Sequence, residues 1–97
     1  MIDQTLNQWQ QFIRDRYHET DAARGPARTF LWLSEEIGEL AEAIARRERG
    51  EDNHDNLREE FADVLAWLTT LANITDVNLA QAIHEKYIAD GGPQGTK

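Results

Sequence analysis

The hexapeptide EEIGEL, residues 35–40, is followed by EEFADV at residues 59–64, which repeats the same arrangement of acids 24 positions later. Each phrase has two adjacent acids, two small or apolar residues and a third acid, and each lies inside an otherwise hydrophobic stretch. Because residues three positions apart lie on the same side of a helix, each phrase places two carboxylates side by side. The repeat therefore predicts two helices that each present a pair of acids.

Apolar residues recur at helical spacing on both sides of these phrases, and no stretch of the sequence shows convincing β-strand alternation. Four helices are predicted. The first two cover residues 5–18 and residues 26 to about 49. The third follows an N-cap at Asn56 and extends through Ala72, and the fourth is capped by Asp76 and ends near Ala89. Only a short turn follows Gly50, so the second and third helices are predicted to be antiparallel neighbours. The expected fold is an all-α four-helix bundle.

Local signals and apolar stripes define these helices more closely. Thr5 and Gln8 have the spacing of a capping box, and Pro26 suits the first turn of a helix. The residues predicted to face inward are Phe30, Leu33, Ile37, Leu40 and Ile44 in the second helix, and Leu57, Phe61, Val64, Leu65, Leu68, Leu71 and Ala72 in the third. A chain this short buries only a modest fraction of its surface on folding and gains little stability from it. We therefore expect dimerisation to complete the bundle.

Composition narrows the possible classes of protein. The chain has 97 residues, which suits one domain, predicted at residues 1–90, followed by a flexible tail at residues 91–97. There are 18 acidic and 10 basic residues, so the net charge of −8 disfavours nucleic acid as a partner. Cysteine is absent, and no apolar run approaches the ~20 residues of a membrane span. These features predict a cytoplasmic protein with no membrane partner.

The acids do not all lie on the solvated side of their helices. At about 100° per residue, Glu60 is in line with Val64 and Trp67, and Glu36 lies close to Leu33 on its own helix, whereas Glu35 points away. A carboxylate at the edge of a core is costly unless a cation or hydrogen-bond donors compensate it. The pattern therefore predicts that something positive binds between the two helices.

A hard divalent cation is the best candidate for that positive group. Carboxylate oxygens suit Mg²⁺, which keeps waters that exchange with phosphate oxygens. With no cysteine, and three histidines at unrelated positions, a soft transition-metal site has little support. An ordinary acidic helix face is the alternative for either phrase alone, but two pairs of acids on one flank would repel each other without a cation.

The same residues resemble a known family. The pattern EExxE, a spacer of 20 residues and then ExxD is similar to the MazG family of nucleoside triphosphate pyrophosphohydrolases, within the all-α NTP pyrophosphatase superfamily. The phrases WLSEEIGELAEAI, EEFADVLAWLTTLA and LAQAIHEKY resemble its later helices, so the similarity covers roughly residues 28–87. The resemblance implies Mg²⁺-dependent hydrolysis of a nucleoside triphosphate to a monophosphate and pyrophosphate through metal-activated water, with Mn²⁺ as a substitute. It also implies a homodimer or a dimer of dimers.

The resemblance assigns roles to individual residues. The implied metal ligands are Glu36, Glu39, Glu60 and Asp63, the same four acids that helical geometry selects. Glu35, the first acid of the motif, is assigned to a supporting role in catalysis, such as orienting water. The implied substrate-binding residues are Lys86 for the triphosphate and Trp67 for the base. Position on the second helix adds two candidates that the resemblance does not assign: Trp32, one turn before Glu36, for stacking on the base, and Arg28 for phosphate. Asp90 departs from the family, which often has asparagine there.

Three other interpretations remain open. A phosphoribosyl-ATP pyrophosphatase would use the same acids, but such enzymes usually carry a histidine shortly after the motif aspartate, and DVLAWLTTLA has none. A helical interaction module would use the acidic flank to bind a basic partner. A degenerate homologue would bind nucleotide without turnover. The hypothesis that best fits the residues is a pyrophosphohydrolase that cleans the nucleotide pool.

Overall fold

A computed structural model describes residues 2–95 of the protein. Its regular structure is entirely helical, which confirms the predicted all-α class and the four helices. The helices are α1 (Leu6–Arg24), α2 (Pro26–Glu48), α3 (His54–Ile74) and α4 (Leu79–Ile83), and α4 continues into a π-helical turn at His84–Ile88. The predicted flexible tail at residues 91–97 stays a prediction, and its last two residues, like residue 1, lie outside the described residues.

The first helix begins as predicted but ends later. The N–H of Gln8 donates to Thr5 Oγ1 at 3.0 Å, and the N–H of Thr5 donates to Gln8 Oε1 at 2.8 Å, which is the predicted capping box. The predicted end near residue 18 is wrong, since α1 continues to Arg24. The reason is that Asp21, beyond the predicted end, is buried within the helix and bonded to neighbouring side chains. Gly25, with φ of +85°, then ends the helix in a conformation that glycine adopts readily.

The second helix starts at Pro26 as predicted, but the caps expected for the third and fourth helices are wrong. Helix α3 already includes Asn56, and the residue before the helix is Asn53, whose amide donates to the carbonyl of Ala43 in α2 at 2.9 Å. Helix α4 is capped by Asn78, which accepts from Gln81 N–H at 2.8 Å. Asp76 instead occupies the turn before it, with φ of +57°. In both places the asparagine before the helix also bonds to another part of the chain, since the Asn78 amide donates to Asn7 Oδ1 at 3.2 Å.

Helices α2 and α3 form the main packed pair, and α1 lies across α3. Helix α4 packs against α1 rather than against the acid-bearing helices. The Gln10 side chain joins α1 to the end of α3 and to the turn before α4. Its amide nitrogen donates to Asn73 Oδ1 at 3.0 Å and to the Val77 carbonyl at 2.8 Å. The antiparallel α2–α3 pair therefore provides the frame on which the acids are placed.

Much of the predicted apolar core is not covered within one chain. Leu33 and Ala72 are buried, but Phe61 is 58% exposed and Ile37 is 48% exposed. We call these uncovered residues the open face: Phe30, Ile37 and Ile44 of α2 with Phe61, Leu65 and Leu68 of α3. The prediction that they face the core of the single chain is wrong, because α1 packs on α3 and α4 packs on α1, and neither covers these side chains. None of the helices in residues 2–95 combines the length and apolarity that crossing a bilayer needs.

Candidate active site

Four acids meet where α2 and α3 run side by side. Glu36 and Glu39 come from α2, and Glu60 and Asp63 come from α3. One carboxylate oxygen from each of Glu36, Glu60 and Asp63 lies within 4.8 Å of the others. We call the four residues the acidic cluster. Because each helix repeats its side-chain direction every three to four residues, antiparallel pairing of the two phrases is what brings the acids together.

The acidic cluster is electrostatically strained. Burial raises the pKa of the Glu36 carboxyl above its ordinary value of 4.5, and the neighbouring charges of Glu39, Asp63 and Glu60 raise it further. Burial likewise raises the pKa of Glu60, followed by the charge of Glu39 and a hydrogen-bonding contact with it. Glu39 therefore belongs to the group, since it acts on the acids of both helices. Each shift has the sign expected when carboxylates crowd together without a cation.

Two carboxylate oxygens in the acidic cluster are left without partners. Oε2 of Glu36 and Oε2 of Glu60 are buried, and neither accepts a hydrogen bond. Within residues 2–95, no lysine or arginine forms an ion pair with any of the four acids. An unsatisfied buried acceptor is costly, and more so when it carries charge. Oxygen ligands that lack a counter-charge fit a hard divalent cation such as Mg²⁺.

The family profile described as the MazG nucleotide pyrophosphohydrolase domain matches residues 24–89. The chain belongs to the MazG family. This confirms the resemblance found in the sequence, and the matched range includes all four acids of the cluster. Membership supports an activity of the nucleotide pyrophosphohydrolase type, in a family that is generally metal-dependent. No curated protein matches the chain significantly.

In this MazG domain the two predicted base-binding indoles contact each other. The rings of Trp32 and Trp67 are nearly parallel, at 22°, with centroids 6.2 Å apart. Trp67 lies one turn after Asp63, and Trp32 one turn before Glu36, so the pair flanks one end of the acidic cluster. Trp67 is half-buried and Trp32 is 47% exposed. The structure therefore places both indoles beside the cluster, as an aromatic pair rather than as two separate platforms.

The remaining predicted site residues lie outside the acidic cluster. Glu35 is exposed on α2. Arg28 is exposed two turns before Glu36 on the same helix. Lys86 lies in the π-helical turn, where its ammonium is 5.7 Å from the ring centroid of Tyr87. Among the described residues, no ion pair joins Lys86 or Arg28 to the acids, so their assigned roles stay predictions.

Sequence reasoning missed a buried polar network next to Trp67. Asp21 is 6% exposed, forms an ion pair with Arg24 and accepts from the Thr70 hydroxyl at 3.0 Å. Arg24 Nε donates to Thr29 Oγ1 at 3.1 Å, and the guanidinium carbon lies 4.8 Å from the centroid of the Trp67 ring. The spacing of Asp21 and Arg24 was the only available signal, and it is equally typical of an exposed helix pair. The network connects the end of α1 to α3 and to Trp67, the indole beside the acidic cluster.

Proposed function

We propose that this protein is a Mg²⁺-dependent nucleoside triphosphate pyrophosphohydrolase that converts (d)NTP to (d)NMP and pyrophosphate and cleans the nucleotide pool. One observation supports it most: two helices bring four acids together, with two buried oxygens that have no partner. A metal-dependent phosphate chemistry explains why an acidic protein keeps such a costly group. Cytoplasmic location, and the exclusion of nucleic acid as a partner, stay predictions from charge and composition.

Glu36, Glu39, Glu60 and Asp63 would hold the metal ion, with Mn²⁺ as a possible substitute. When bound, Mg²⁺ supplies positive charge for phosphate oxygens and lowers the pKa of a water. The acids themselves keep that ion at the α2–α3 seam and set its position relative to the indole pair. Because the surrounding protein carries a net charge of −8, a polyanionic substrate needs this local reversal of sign to bind.

The other predicted residues have supporting roles in this proposal. Glu35 lies next in sequence to Glu36 and is proposed to help orient water at the edge of the cluster. Trp67 and Trp32 provide aromatic surface for the nucleoside. Lys86 and Arg28 provide cationic side chains, at the π-helical turn and in the first helical turn of α2, for the outer phosphates. Because both side chains are cationic donors, they would bind phosphate oxygens and would not serve as metal ligands.

Pyrophosphate release tests the proposal directly. We expect Mg²⁺-dependent conversion of at least one triphosphate, in a panel of canonical and modified nucleotides, to monophosphate and pyrophosphate. Excess EDTA should abolish turnover, and added Mg²⁺ or Mn²⁺ should restore it. Chromatography of the products distinguishes this reaction from removal of the γ-phosphate, which yields a diphosphate and orthophosphate. Turnover that persists in EDTA, or products of γ-phosphate removal alone, would contradict the proposal.

We also propose that the protein is a homodimer or a dimer of dimers that pairs through the open face. Six large apolar side chains of α2 and α3 are between 43% and 58% exposed there, and their burial would stabilise an assembly. Sedimentation equilibrium should give two or four times the chain mass of 11.1 kDa. Leu68→Lys should shift the protein to monomer, whereas Leu31→Lys, on the other side of α2, should not. A wild-type monomer at micromolar concentration would contradict this.

A further inference from the structure

A second group of oxygen-bearing side chains lies in the turn between α2 and α3. A cavity of about 390 Å³ opens there, and we call it the turn cavity. Its lining residues are Arg46 of α2 and five consecutive residues, Asp52, Asn53, His54, Asp55 and Asn56. Asn53 precedes Glu60 by about 10 Å along the helix axis, at 1.5 Å per residue. The turn cavity is therefore separate from the acidic cluster, and none of the roles assigned to the cluster uses it.

One buried acceptor that lines the turn cavity has no partner among the described residues. Asn53 is 9% exposed, and its Oδ1 accepts no hydrogen bond. Its amide nitrogen donates to the Ala43 carbonyl at 2.9 Å. This bond fixes the orientation of the amide, because an oxygen in the place of that nitrogen would face another acceptor. The oxygen is therefore held free, and an unpaired buried acceptor costs free energy.

The charged groups around this oxygen leave a surplus of negative charge. Arg46, which also lines the turn cavity, is paired with Glu51, since its Nε donates to Oε1 at 3.1 Å. Within residues 2–95, no lysine or arginine forms an ion pair with Asp52, and Asp55 has only a 3.9 Å contact with the exposed Arg58. Exposed pairs of this kind contribute little. Two carboxylates with little compensation thus lie beside a buried acceptor that lacks a donor.

Oxygen atoms of this kind suit Ca²⁺. This ion takes carboxylate, amide and water oxygens at about 2.3–2.6 Å, in a flexible geometry. Asn53 offers one neutral oxygen that is held in place, and Asp52 and Asp55 offer exposed carboxylates that are able to turn toward it. Waters would complete the coordination. Mg²⁺ suits the turn less well, because it requires a near-octahedral arrangement at about 2.0–2.1 Å.

An anion fits the turn cavity less well, although α3 begins there. The first N–H groups of a helix favour negative charge, and the Asn53 side chain does not cap α3. A phosphate or carboxylate would nevertheless face the charges of Asp52 and Asp55. It would also leave Asn53 Oδ1 unsatisfied, because an ionised anion offers only acceptors. The unpaired oxygen needs a donor or a cation.

We propose that the turn between α2 and α3 binds Ca²⁺ through Asn53 Oδ1 and the carboxylates of Asp52 and Asp55. This site goes beyond the proposed function and does not depend on it. Because Asn53 also bonds to Ala43, the bound ion joins the end of α2 to the start of α3 and stabilises the hairpin that pairs the acids. With only two carboxylates, the site lies at the weak end of calcium affinities, with a Kd of about 10⁻⁴–10⁻³ M.

Nuclear magnetic resonance of the full-length protein measures this binding. CaCl₂ is titrated at constant ionic strength into the wild type and into Glu36→Gln/Glu60→Gln, which removes two acids of the acidic cluster. The side-chain amide of Asn53 and the backbone amides of residues 51–56 should shift with the same midpoint in both proteins. If these signals do not move, water satisfies the Asn53 oxygen and the proposal is wrong. Shifts that disappear in Glu36→Gln/Glu60→Gln would equally refute it, because the acidic cluster would then be the site that binds Ca²⁺.

Substitutions at exposed positions of the turn provide the second measurement. Asp52→Asn/Asp55→Asn should weaken Ca²⁺ binding by about tenfold or more, a difference typical of a lost binding contact. The matched control Asp3→Asn/Asp15→Asn removes two charges from exposed positions outside the turn cavity and should leave binding unchanged. His54→Gln should also leave it unchanged, because the ligands are oxygens. Wild-type Ca²⁺ affinity in Asp52→Asn/Asp55→Asn, or loss of binding in His54→Gln, would overturn the proposal.

Discussion

We expect Glu60→Gln to lower Mg²⁺-dependent pyrophosphate release by at least about a thousandfold, because Glu60 is proposed as a ligand of a metal ion that would lower the reaction barrier by several kcal/mol. Glu60 is 8% exposed, and one of its carboxylate oxygens lies within 4.8 Å of an oxygen of Glu36 and of an oxygen of Asp63. Glutamine preserves the volume but removes the negative charge that would bind the cation. Steady-state rates of pyrophosphate release at saturating substrate, with and without added Mg²⁺, give the measurement.

The matched control is Glu59→Gln, which makes the same chemical change at the adjacent, exposed position. It should keep nearly full activity. Thermal unfolding of metal-free Glu60→Gln should show a fold at least as stable as the wild type. Burial, and then the charge of Glu39, raises the pKa of Glu60, so folding disfavours the charged carboxylate relative to the neutral group. Full Mg²⁺-dependent activity in Glu60→Gln would show that the ligand assignment is wrong.

Asp21→Asn lowers the free energy of unfolding by about 3 kcal/mol, the lower end of the range for breaking a buried ion pair from one side. The change leaves the largely buried Arg24 without its anionic partner, and an amide nitrogen replaces one of the two oxygens that accept from Arg24 and from the Thr70 hydroxyl. It also loosens the junction of α1 and α3 beside Trp67. Urea unfolding monitored by circular dichroism gives the free energy, because a domain of this size is expected to unfold in one step.

Two further variants separate charge from packing at this junction. Asp15→Asn, at an exposed position on α1 whose carboxylate accepts only from Gln11, should change stability by less than about 0.5 kcal/mol. The double variant Asp21→Asn/Arg24→Met should be more stable than Asp21→Asn alone, because no unpaired cation remains. If the double variant is no more stable than the single one, the loss does not come from the unpaired guanidinium.

The acidic cluster was predictable because its geometry is mostly local. Glu36 with Glu39, and Glu60 with Asp63, are each set by the three-residue spacing within one helix. Bringing the two pairs together needs only one more step, an antiparallel turn soon after Gly50. The same locality explains why the start of α2 at Pro26 was predicted correctly, since the ring of proline itself favours the first turn.

The errors occur where a distant partner changes the role of a residue. The first helix was predicted to end near residue 18, yet it continues through Asp21, which accepts from Thr70, 49 positions away in the sequence. Asn53 caps nothing through its side chain and instead bonds to the carbonyl of Ala43. Phe61 has the spacing of a core residue but is 58% exposed. Spacing along a helix gives the direction of a side chain, and cannot identify what occupies the space it points into.

By itself the sequence determined the helical class, the family and the four acids, since each depends on spacing within a few turns of one helix or on a short connection between two. Only the tertiary structure decided that Trp32 and Trp67 stack together, that Asp21 and Arg24 support that pair, and that a cleft opens beside it. Those features require α1 to pack against α3 in one particular register. That packing results from side chains far apart in the sequence filling a shared space, which no local periodicity encodes.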